Sequence, residues 1–160
     1  MKKITVLVVA LLLTAITTQA QGIEKLLEKY SNDSRFTYVS LGSGMIQLGL
    51  SFIGSELDAI GNDVKDELSK IKGLKVLTLE SEAEKTIASV MNELNCIIKK
   101  DPKAELIIET RDKKEITKIY MTGEGFLIAS TEPDELSIVF FSGSVTKKLV
   151  QAIASGINKK

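Results

Sequence analysis

The chain has 160 residues, 44% of them hydrophobic, and its 21 Lys+Arg balance 21 Asp+Glu. This composition fits one globular domain and gives no electrostatic reason to expect a nucleic-acid partner. Histidine is absent and Cys96 is the single cysteine, which excludes hydrolases built on a histidine base, histidine-liganded metal centres and any intrachain disulfide.

Residues 1–20 read as an export signal. Met1-Lys-Lys is a basic start, residues 4–16 are an apolar run, and Thr18-Gln19-Ala20 is a small-residue cleavage site. Cleavage after Ala20 removes Lys2 and Lys3 and leaves residues 21–160 as a single domain with two more acids than bases. The apolar run is too short to span a bilayer, and no later run approaches about 18 apolar residues, so no integral membrane span is expected. With no cysteine beside the cleavage site the protein is not a lipoprotein, and it is expected in the periplasm or outside the cell.

Residues 23–30 place Ile23, Leu26, Leu27 and Tyr30 on one helical face, with Glu24, Lys25, Glu28 and Lys29 outside, which predicts a short docking helix. Residues 36–41 alternate Phe36, Tyr38 and Ser40 against Thr37, Val39 and Leu41, a first strand. Met45, Leu48, Phe52, Leu57 and Ile60 then form a helical stripe. Gly49 and Gly54 lie within it, where small residues suggest close backbone contact. Asn62 suits the N-cap of a second helical segment, with Val64, Leu68 and Ile71 inward and Gly73 as its stop. Residues 74–79 read as a second strand. Ser81 and Glu84 form a capping box for a helix carrying Ala83, Ile87, Val90, Leu94 and Ile97, closed by Lys99, Lys100 and Asp101-Pro102.

Residues 104–142 read as a four-strand meander. In its first strand Leu106 and Ile108 are expected on one face and Ile107 on the other. In the second, Thr117, Ile119 and Met121 oppose Ile116, Lys118 and Tyr120. Gly123-Glu-Gly125 supplies the positive φ of a tight reversal, and Pro133 pre-sets a turn before the last strand. The last two strands are apolar on both faces, Phe126 and Ile128 against Leu127 and Ala129, then Ile138 and Phe140 against Val139 and Phe141. From Ser144 onward Val145, Leu149, Ala152, Ile153 and Gly156 mark a closing helix. The expected fold is α+β: a two-layer, mixed and largely antiparallel sheet packed by helices mainly on one face. Helical crossovers would make the first two strands parallel where they are adjacent.

No motif commits the chain to a chemistry. Gly42-Ser-Gly44 lies where a phosphate loop would, yet position 47 is Gln47 and no P-loop lysine follows. Glu80, Glu82 and Glu84, and Glu132, Asp134 and Glu135, fit helix starts and turns better than the loop spacing of a calcium hand. Cys96 falls on the outer side of its helix with no base to activate it. The segment from Met45 to Ile60 covers more than one helical face with apolar side chains. It lacks the basic polar face of a membrane-surface helix, so burial is the expected reading. No catalytic residue, cofactor or metal site is assigned.

Tyr30-Ser-Asn-Asp33, Arg35-Phe-Thr-Tyr-Val-Ser-Leu41, Met45 and Ile71-Lys-Gly-Leu-Lys-Val-Leu77, following an export signal, give the chain its likeness. It resembles the small exported bacterial proteins of the domain-of-unknown-function family four-two-five-two. The resemblance implies no assigned activity and genes near extracytoplasmic-function sigma factors and their regulators. Many members are lipoproteins, a pattern this chain departs from. The expected function is a non-enzymatic envelope protein that binds a protein partner or a small apolar ligand, with Met45, Phe52, Phe126, Phe140 and Phe141 as the interaction surface. The alternatives are a carboxylate-based hydrolase of an envelope polymer and a peripheral membrane-surface binder.

Overall fold

Ile23, Leu26, Leu27 and Tyr30 are the buried residues of α1 (Ile23–Ser31), as their spacing requires. The computed structural model describes residues 22–52, 62–80 and 84–151, without the side chains of Phe52 and residues 62–65. After α1 come β1 (Phe36–Gly42), α2 (Ser43–Phe52), α3 (Asn62–Ser69), β2 (Ile71–Glu80) and α4 (Glu84–Lys100). The meander follows as β3 (Glu105–Asp112), β4 (Glu115–Met121), β5 (Gly125–Thr131) and β6 (Glu135–Gly143). Residues 147–151 are helical. Ser81, Glu82, Ala83, Gly54, Leu57, Ile60, Ala152, Ile153 and Gly156 lie outside the described residues.

The six strands make one sheet in the order β1-β2-β6-β5-β4-β3. Every neighbouring pair is antiparallel. This corrects the expected parallel pairing of β1 and β2: Gly42 lies opposite Gly73, so the helical excursion leaves and re-enters at the same end of the sheet. A parallel pair needs a crossover that returns to the opposite end. Gly73 is likewise a strand residue and no helix stop. The chain shifts register between Ile71 and Gly73, and a side chain at Gly73 would press on Ser142 Oγ.

Turn chemistry in the meander follows the residues. Gly125 has φ 155°, and a side chain there would collide with the Phe141 carbonyl. The Glu132 amide donates to the Glu135 carbonyl at 2.8 Å, closing the turn that Pro133 starts. A register shift between Leu106 and Ile108 sends Leu106 to the side of Tyr120 and Ile108 to the side of Ile119. The two were expected on one face, but one extra residue in a bulge reverses the alternation beyond it.

α1 and α4 cover one face. Phe36, Leu77, Leu79, Leu127, Ala129, Leu136, Ile138 and Phe140 from the strands pack there with Ile87, Val90 and Leu94 of α4. Fully burying each large apolar side chain stabilises by about 1.5–3 kcal/mol. Two polar clamps hold α1 in place. Lys75 of β2 reaches Glu28 at 2.7 Å and Glu24 at 3.7 Å. Burial disfavours the Lys75 ammonium, yet these acids hold its pKa above the ordinary lysine value. On α4, Glu93 accepts from Lys29 Nζ at 2.7 Å and from the Tyr30 hydroxyl at 2.8 Å.

The other face is ordered in rows. Val39, Val76, Val139, Ile128, Ile119 and Ile108 lie opposite one another across all six strands. Two residues along, Thr37, Thr78, Ser137, Ser130, Thr117 and Thr110 form a parallel row of hydroxyls. Among the described residues, Val150 of the helical turn at 147–151 covers one corner, over Phe126 and Ile119.

Candidate functional site

The sequence-predicted contact residues separate in space. Phe140 is 0% exposed in the α1/α4 core, and Phe126 is 0% exposed on the opposite face. Phe141 is half-buried and stacks on Phe126, with centroids 4.6 Å apart and rings within 3° of parallel. Phe126 and Phe140 are therefore corrected from contact residues to core residues, because each side of the meander is roofed at their positions. The side chain of Phe52 lies outside the described residues. Met45 is 61% exposed.

α2 also departs from expectation. Among its described side chains only Ile46 and Leu50 are half-buried, while Leu48 is 52% exposed beside Met45. Val39 on neighbouring β1 is 45% exposed. Among the described residues, and apart from their own chain neighbours and helix backbone, nothing lies within 4 Å of where a side chain at positions 42, 44 or 49 would start, so no described element packs closely on these glycines. Residues 36–55 contain no charged residue at all. β1 and α2 thus form an exposed, uncharged, apolar corner, an arrangement enriched at interaction sites. Val39 escaped sequence reading because alternation places it on a face without saying that β1 ends the sheet.

A cavity of about 230 Å³ lies farther across the sheet at the same end of the strands, between the start of α1, the end of α4 and the β4–β5 turn. Ile23, Ile97, Ile98 and Pro102 give it apolar walls, with Lys100 and Glu124 among its polar lining. Asp101 shapes that turn by accepting from the Gly123 amide at 2.7 Å and the Lys103 amide at 2.8 Å.

Among the described residues, the carboxylates with displaced pKa values are displaced downward by cations. Lys75 acts on Glu28, Lys70 on Glu67, Lys29 on Glu93 and Arg111 on Glu109. Arg35 holds Asp33 at about 2 through side-chain and backbone bonds. Lowered values suit ion pairing; a general acid needs a raised one. Cys96 is exposed on α4, as its position on the helix implied. Among the described residues no three acidic or sulfur side chains are grouped to hold a metal ion.

No described helix is long and apolar enough to cross a membrane. No curated protein and no solved structure matches the chain. One family model does, over residues 30–153, from the end of α1 to just past the last described helical turn. That span takes in every strand of the sheet and the whole exposed corner, and the chain belongs to the family described as Domain of unknown function (DUF4252).

Proposed function

We propose that the protein is an exported, non-enzymatic envelope protein that binds another protein through the β1–α2 corner. The observation that carries this reading is the exposure of Met45, Leu48 and Val39 within a charge-free segment. The resemblance to exported proteins encoded near sigma-factor regulators fits a regulatory role. A protein partner is favoured over a lipid surface, because α2 has no lysine or arginine to meet anionic headgroups. The test is affinity capture from the native envelope with tagged wild-type protein and Leu48→Glu. Recovery of a partner that the variant loses is expected, and equal recovery by both removes the corner as the contact surface. A second reading rests on the cavity near Pro102. At about 230 Å³ it is smaller than the roughly 300–1,000 Å³ of drug-sized sites, so it suits a short apolar ligand.

A further inference from the structure

The sheet has two edges, and they are built differently. β3 carries Glu105, Glu109, Arg111 and Asp112 and contains the bulge between Leu106 and Ile108. Lys147 also sits on its Glu105 at 2.8 Å. Charges and bulges of this kind stop a sheet edge from recruiting another strand. β1 has none of them. Its seven residues hold no charge and no proline, and they pair with β2 without a register shift. Alternate residues of such an edge point their N–H and C=O groups away from the sheet.

We propose that β1 is a dimerisation edge, at which a second copy of this chain adds its own β1 antiparallel and extends the sheet across both copies. The inference deepens the reading of the β1–α2 corner as a contact surface and rests on it. The strand is self-complementary. A two-fold axis through its central residue, Val39, pairs the full length, setting Val39 against its mate, Tyr38 against Ser40, Thr37 against Leu41 and Phe36 against Gly42. No like charges meet in that register. The exposed Val39 would be covered by its mate, continuing the aliphatic row of the second face into the other copy. Phe36 would fall opposite Gly42, where, among the described residues beyond its chain neighbours, a side-chain position has nothing within 4 Å. Arg35, the nearest charge, is already held by Asp33 at 2.6 Å and Thr86 at 3.0 Å, so the strand enters the pair neutralised.

Sedimentation equilibrium of the mature protein, with disulfide trapping, tests this. A dimer is expected at concentrations up to about 100 µM, with Val39→Lys weakening it about tenfold or more by opposing two ammonium groups. Opposed Cα atoms in an antiparallel pair lie about 4.5–5.5 Å apart, within disulfide reach. In a Cys96→Ser background, Val39→Cys should therefore give a disulfide-linked dimer under oxidised glutathione, and Thr110→Cys on β3 should not. A monomer throughout, a dimer indifferent to Val39→Lys, or equal trapping at both positions would overturn the proposal. If Val39→Lys fails to fold, the two cysteine variants still decide it. A monomer that captures an envelope protein through Leu48 would overturn self-pairing alone, whereas a monomer that captures nothing would overturn the underlying reading too.

Discussion

Leu77, Leu127 and Ile138 are fully buried beneath α1 and α4, whereas the adjacent Val76, Ile128 and Val139, one step along the same strands on the opposite face, are only half-buried. Both sets are apolar and occupy the same central strands. What separates them, among the described residues, is the roof: two helices with wide apolar faces on one side, and on the other the helical turn at 147–151, whose Val150 packs with Phe126, Ile119 and their neighbours. Apolar content thus shows which residues can be core, and the helices decide which are.

Truncation is the strongest way to sharpen that comparison. Phe140→Ala, beneath the roofed face, should cost about 3–5 kcal/mol in denaturant unfolding, a large share of a total near 5–15. Phe141→Ala, on the less covered face, should cost about 1–2 kcal/mol, mostly its stack on Phe126. Equal large losses would show the two faces to be equivalent.

The polar clamps on the roofed side make acid the next probe. Asp33, Glu28 and Glu93 have lowered pKa values in the fold. A depressed carboxylate contributes stability above its unfolded value and loses it as pH falls through the folded one. The denaturant midpoint should therefore decline as pH drops from about 4.5 toward 2, the Asp33 part being lost between 3.8 and about 2. Glu93→Gln should flatten this decline. A profile that stays level over that range would show the clamps to be idle.

The smallest effect is expected at Cys96. It lies exposed on the outer side of α4, and Cys96→Ser should leave both the denaturant midpoint and partner capture unchanged. Loss of capture with an unchanged midpoint would assign the thiol a role.

These contrasts track what the sequence made legible. Short-range signals carried through: the four inward residues of α1, the Ile87, Val90, Leu94 face of α4, and the turns at Gly125 and Pro133. Long-range relations did not. Nothing local states that Gly42 meets Gly73, which is what makes β1 and β2 antiparallel. The bulge beside Ile107 is invisible to an alternating pattern, and Leu106 therefore changed face. Gly73 serves a helix stop and a tight strand crossing equally well. In α2 the apolar residues themselves argued for burial, and the structure leaves Met45 and Leu48 exposed while Ile46 and Leu50 are half-buried.

The claim that stability resides under α1 and α4 while recognition resides at the β1–α2 corner is tested most directly by Leu48→Glu. Its denaturant midpoint and its capture of envelope partners should be measured on the same preparation. An exposed position tolerates a charge within about 0.5 kcal/mol, so an unchanged midpoint with capture abolished is the predicted result. Capture at the wild-type level, or a midpoint that falls as far as that of Phe140→Ala, would contradict the account.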